Sequence, residues 1–293
     1  MVGQKKWVPY VLLLPWILGF IIFKVYPFIS AFVMSLFKTR GLTSTYVGFD
    51  NYASIFTTAT LEGADFLNAM KVTFIYVFLA VPAILIVSLL VAYLLSRKLK
   101  GIGFFRTAFY MPTVLGANVA IIFLWRYIFE DEGLINQFIM LFRDEPIHWF
   151  ATGAGAMTSI ILLRVWQFGS TMLIFLNALK NVPDTLYEAA TIDGASKAKQ
   201  FFSITVPMIT PVILFNAVMR IVESFQVFNG PMLITQGGPN NTTNVINKVI
   251  YDTAFAGGNL NLGAAMSWVL FVIIMVFTVL IFRSSKYWVH YAD

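Results

Sequence analysis

One apolar stretch of this chain holds an unusual set of polar side chains. The segment from Pro207 to Phe228 reads PMITPVILFNAVMRIVESFQVF and contains Asn216, Arg220, Glu223 and Ser224. Steps of four, three and four residues (216 to 220, 220 to 223, 220 to 224) place Asn216, Arg220, Glu223 and Ser224 along one helical stripe, and Val227 continues that face. A charged side chain in such a setting costs several kcal/mol unless it is paired or meets water, so it marks either a pathway or a buried pair. Arg220 and Glu223, three residues apart, suit both: a structural ion pair, or a pair that also touches a passing solute.

Catalysis finds little support elsewhere. The chain has no cysteine, which removes a thiol nucleophile, a disulfide framework and a Cys-based metal site, and its two histidines, His148 and His290, do not make a His-rich one. Ser170 has no histidine in the same or an adjacent apolar segment to activate it. Glu130 and Glu132 share an acidic stretch with Asp131, Asp144 and Glu145, and read as a solvated loop rather than an acid/base pair. No phosphate-binding G-x-x-x-x-G-K-[ST] run occurs; GASK at Gly194 to Lys197 lacks both the earlier glycine and the preceding strand. The chain therefore reads as a non-enzyme with no metal site and no cofactor of its own.

Composition sets the elements that must hold Arg220 and Glu223. Some 59% of the residues are hydrophobic and 12% charged, too apolar for one soluble core, so a bilayer must act as solvent. Runs of about 20 apolar residues predict six transmembrane helices near 10–36, 71–95, 107–128, 156–178, 208–228 and 262–282. The expectation is an all-α integral membrane protein, one transmembrane domain over residues 1–293 with no internal boundary. Lys5 and Lys6 precede the first run, yet that run is too long for a signal peptide and no small-residue cleavage site closes it, so it is expected to remain as a helix. Six spans put both termini on one side. That side carries Lys5, Lys6, Arg97, Lys98, Lys100, Arg106, Lys180, Lys197, Lys199, Arg283 and Lys286; the other carries Lys38, Arg40, Arg143 and Lys248. The first, richer in cations, is assigned to the cytoplasm. The net charge of +6 thus reflects membrane topology, and nucleic acid is not an expected partner. Outside lie a loop near 38–68, the acidic loop, and a Gly/Asn-rich loop near 229–261.

Between the fourth and fifth runs, about 181–207, stands a polar, helix-forming loop containing EAATIDGASKAKQFFSITVP from Glu188 to Pro207. Its pattern of Glu188, Ala189, Ala190, Gly194, Ile204 and Pro207 resembles the EAA loop of bacterial ABC-importer permeases. Asp193 before the glycine and Phe201-Phe202 before Ile-Thr-x-Pro resemble the carbohydrate-uptake branch, the maltose-type and multiple-sugar permeases. VGFDNY at Val47 to Tyr52, FRTAFYMPTVL at Phe105 to Leu115 and TQGGP at Thr235 to Pro239 extend the likeness over nearly the whole chain. Two alanines keep a short helix slim, and Asp193-Gly194 can turn the chain sharply into a second helix, which makes a compact knob. An amphipathic helix lying on lipid is the plainer alternative.

The resemblance implies a type I importer permease fold, in which this knob seats in an ATP-hydrolysing subunit. It implies a second, homologous permease, two ATP-binding cassette subunits that hold ATP and Mg, an extracytoplasmic solute-binding protein, and a multi-pass location in the bacterial cell membrane. The implied activity is import of a sugar or oligosaccharide by alternating access. Carried over from the maltose-type permease, the solute contacts fall at Trp166, Gln167 and Ser170 in the fourth span and at Arg220, Glu223, Ser224 and Val227 in the fifth. An aromatic can cover the C–H face of a sugar while amide, hydroxyl and charged groups meet its hydroxyls. Trp166 also suits packing between helices, and Ser170 suits close helix contact. Arg126 and Arg164 can snorkel or pair and are not placed in the pathway. Competing functions are a self-sufficient channel or ion-coupled carrier and, within the family, a glycerol-phosphate or other polyol importer.

Overall fold

The computed structural model describes residues 7–41, 43–97, 101–116 and 118–290. Of the cations counted above, Lys5, Lys6, Lys98 and Lys100 lie outside the described residues, as does the side chain of Arg40. Among the described residues, three helices are long and apolar enough to cross a membrane, Tyr10–Ser35, Leu61–Leu95 and Leu260–Ser285. Three bent helix pairs bring the number to six if each pair is one span.

Those bends correct the expectation of continuous third, fourth and fifth spans. The third divides into Ile102–Leu115 and Val119–Ile128, and Asn118, in extended conformation, starts the second piece by accepting the Ala120 N–H on its side chain. The fourth divides into Gly153–Trp166 and Gly169–Lys180, bent by 47°. Gly169 permits the restart: a Cβ there would lie 2.7 Å from the Phe109 carbonyl oxygen, so only glycine admits the neighbouring helix so closely. In the fifth, Lys197–Met208 meets Thr210–Phe225 at 70°. Pro211 has no N–H to offer the Pro207 carbonyl, and the Thr210 hydroxyl donates to that oxygen instead at 2.7 Å. Widened π turns at Ile21–Val25 and Phe201–Thr205 each end two residues before a proline, Pro27 and Pro207. A missing N–H and a bulky ring explain both.

The chain divides into two compact units. The first comprises residues 1–67 and 249–271. Here Trp268 packs on Phe28 and Phe32, with ring centroids 4.5 and 4.8 Å apart. Asn261 donates to the Met34 carbonyl and accepts the Thr39 N–H, while Asn51 donates to the carbonyls of Ser35 and Phe37. These bonds satisfy backbone groups left free where helix Tyr10–Ser35 ends. They also anchor a small feature that an all-helical reading passes over, an antiparallel hairpin of Phe37–Arg40 and Thr43–Tyr46 in the loop expected near 38–68.

The second unit comprises residues 68–248 and 272–293. Its core gathers Ala92, Leu95, Met172, Phe175, Leu176, Leu179 and Ile209, and a smaller cluster joins Ile122, Leu163 and Ile234. The TQGGP segment is a tight polar turn. The Thr243 hydroxyl bonds the Thr235 hydroxyl and the Gly238 carbonyl, and the Ile246 N–H reaches the Thr73 hydroxyl. Large apolar side chains remain exposed along many helices, including Leu12, Phe23, Phe104 and Phe78, as expected where lipid rather than water covers them.

Candidate functional site

Helix Thr210–Phe225 opens with Pro211 in its first turn, where a missing N–H costs nothing. Near its other end it presents Arg220 and Glu223, whose Nη1 and Oε2 are 2.8 Å apart. The pair expected from the sequence is therefore met in geometry, but it is part of a larger group. Arg164, on helix Gly153–Trp166, donates through Nη2 to the same Glu223 Oε2 and through Nη1 to Gln167 Oε1 at 3.1 Å. Gln167 in turn donates to the Gly116 carbonyl, and the Thr113 hydroxyl donates to the Gln167 carbonyl. Two guanidiniums thus share one carboxylate, and a hydrogen-bonded chain ties the third, fourth and fifth apolar segments together.

This group lines a cavity of about 480 Å³ that also takes in Tyr76, Ser170, Gln226 and Val227. Of the seven residues expected on the pathway, Gln167, Ser170, Arg220, Glu223 and Val227 line it. Trp166 and Ser224 are not among its lining residues. Trp166 stacks at a tilt on Trp125, centroids 5.5 Å apart, beside the Ile122–Leu163–Ile234 cluster, which matches the packing alternative. Ser224 and Asn216 are buried, and their side-chain polar atoms Oγ and Nδ2 find no partner among the described residues. Val227 reaches the cavity from beyond the helix, which ends at Phe225, and not from a further turn of the same stripe. Arg164 is the member that sequence reasoning set aside. An arginine inside an apolar run, three residues before a polar Gln167, was the available signal.

The loop near 181–207 folds as a helical hairpin. Helix Asp184–Ile192 carries Glu188, Ala189 and Ala190; Asp193 caps it, and Gly194 reverses the chain at φ +73°. Ser196 then caps helix Lys197–Met208 by accepting the Lys199 N–H. A Cβ at Gly194 would meet nothing within 4 Å, so the glycine answers to backbone conformation and not to crowding. Glu188, Ala189, Asp193 and Gly194 are exposed, Ala190, Ile204 and Pro207 half-buried, and Ile192 is 86% exposed at the tip. Four residues absent from the motif, Tyr187, Thr191, Gln200 and Thr205, hold the arms together. Buried Gln200 donates to the Thr191 hydroxyl and the Ala195 carbonyl and accepts from Lys197, while the Tyr187 and Thr205 hydroxyls meet at 2.8 Å.

Membrane-length helices, a charged internal cavity and an exposed, internally braced hairpin describe a membrane component of a transport complex. The chain belongs to the family of binding-protein-dependent transport system inner membrane components, which it matches over residues 55–289. It is 37% identical over 286 residues to YesP of Bacillus subtilis, a probable ABC transporter permease protein, covering 96% of this chain and 91% of the relative. To the arabinooligosaccharides transport system permease protein AraP of Halalkalibacterium halodurans it is 33% identical, covering 94% and 87%. To the sn-glycerol-3-phosphate transport system permease protein UgpA of Pectobacterium atrosepticum it is 32% identical, covering 99% and 98%. Its fold matches a chain of a bacterial ABC transporter involved in the import of the acidic polysaccharide alginate, with a TM-score of 0.82, 22% identity and 96% of each chain covered. The protein is a non-catalytic ABC permease subunit embedded in a membrane by apolar helices.

Proposed function

We propose that this subunit imports a carbohydrate or closely related polyol by ATP-driven alternating access, with the cavity around Arg164, Arg220 and Glu223 as its solute site. The observation that carries the reading is the polar lining itself: charged and amide groups gathered between apolar helices are costly unless they meet a solute, water or one another. Arabinooligosaccharide, glycerol-phosphate and alginate systems among the relatives support a polyhydroxylated solute. The exposed hairpin Asp184–Met208 supports docking of an ATP-hydrolysing partner. Closure of two such partners on ATP with Mg would draw this hairpin toward that of a second permease and open the cavity to an extracytoplasmic binding protein. A solved relative bound to a periplasmic protein carrying an alginate pentasaccharide supports that last partner. In this reading the chain crosses the bacterial cell membrane six times, with both termini and the hairpin in the cytoplasm.

The test is uptake of labelled saccharides by the complete importer in proteoliposomes, with the partner ATPase intact or inactivated. Uptake is expected to require hydrolysis. Uptake that persists with an inactive ATPase would instead show a channel or ion-coupled carrier.

A further inference from the structure

Resting on that reading of the cavity, we infer that the transported solute bears an anionic group, a carboxylate or a phosphate, received between Arg164 and Arg220. Among the described lining residues, the groups charged at neutral pH are two guanidiniums and one carboxylate. Both guanidiniums contact a single oxygen, Glu223 Oε2, Arg164 by a hydrogen bond and Arg220 as an ion pair. One carboxylate therefore holds two cations in place and offsets only one of them. A surplus positive charge in a partly buried site calls for an anion, and a planar guanidinium fork fits carboxylate and phosphate oxygens alike. Two further donors lie buried behind the same wall. Arg220 Nε and the Tyr76 hydroxyl, both buried, have no hydrogen-bond partner among the described residues, and both side chains line the cavity. A neutral saccharide would leave the surplus charge uncompensated, whereas an acidic one meets it.

The names of the relatives do not decide this point, since arabinooligosaccharides are neutral while glycerol phosphate and alginate are anionic. The charge count in this cavity does. Glu223 has a definite part in the arrangement: it keeps the guanidiniums from repelling one another when no solute is bound, and leaves their remaining N–H groups to the anion.

The experiment compares matched pairs on the complete importer complex: digalacturonate against galactobiose, glucuronate against glucose, and glycerol phosphate against glycerol. Equilibrium binding of each labelled probe to the solubilised complex is read beside uptake into proteoliposomes. Within at least one pair the anionic probe is expected to bind at least tenfold more tightly than its neutral counterpart. Arg164→Gln brings the lining to a one-to-one balance while leaving Glu223 paired with Arg220; it is expected to erase that preference at normal complex yield, and Arg164→Lys to restore part of it. Glu223→Gln is expected to keep or strengthen anion binding if the complex assembles. Preference confined to the uronates assigns a carboxylate, and preference confined to glycerol phosphate a phosphate. Neutral members binding as tightly as anionic ones in every pair would overturn the inference, as would a preference that survives Arg164→Gln unchanged. If anions bind and respond to Arg164→Gln but no solute is taken up, the import reading fails and the anion site stands.

Discussion

Replacing Gln200 by alanine probes how the hairpin is braced. Gln200 is 3% exposed and its Nε2 donates at 2.9 Å to Thr191 Oγ1 and at 3.2 Å to the Ala195 carbonyl. Each such bond contributes about 0.5–1.5 kcal/mol net, so their loss weakens the closed hairpin by about 2 kcal/mol. The bond accepted from Lys197 adds little, because that lysine is exposed and can turn to water. Thr191 keeps its own bond to the Tyr187 carbonyl, so no orphaned hydroxyl enlarges the effect. About 2 kcal/mol corresponds to roughly a 30-fold rise in the local opening equilibrium. Amide hydrogen exchange across 184–207 in the purified complex should show that rise, with the helices around the cavity unchanged. Solute-stimulated ATP hydrolysis should fall at unchanged complex yield, because a loosened knob transmits less motion. Exchange within threefold of the parent would refute the bracing argument. Loosening without loss of stimulation would refute the hairpin's role in coupling.

Three further outcomes are expected. At Gly194 the left-handed backbone, with nothing within 4 Å of a Cβ, makes the cost conformational, about 1–2 kcal/mol for most residues and less for asparagine; stimulated ATP hydrolysis should fall in the order Gly194→Asn, Gly194→Ala, Gly194→Val, and equal activity in all three would remove the backbone argument. Trp166→Ala should lower thermal stability of the complex by about 3 kcal/mol while the ranking of solutes stays the same, since Trp166 packs on Trp125 and is not among the cavity-lining residues; an altered ranking would return it to the solute path. Single cysteines, in a chain that has none of its own, should react from the cytoplasmic side at Ser196 and from the opposite side at Asn240, and labelling of both from one side would overturn the six-span topology.

Much of this protein is legible in order along the chain. Long apolar runs can hold their backbone hydrogen bonds in lipid only as helices, so their approximate places follow from hydropathy alone. The hairpin at 184–208 follows from local rules as well, with alanines that favour a helix, a glycine that accepts φ +73° and a serine that caps the second arm. Spacing within one helix likewise brings Arg220 beside Glu223. Other features lie beyond local spacing. The bends at Gln167-Phe168 and Ile209 depend on neighbours and on which carbonyls remain unpaired. Gln200 looks like any polar helix residue until its partners at Thr191 and Ala195 are folded against it. Arg164 and Glu223 are 59 positions apart, and no periodicity relates them. Their meeting, with Trp166 turned to packing and Ser224 buried off the cavity, comes from helices crossing in three dimensions. That crossing converts one intrahelical pair into a cavity whose two guanidiniums share a single carboxylate.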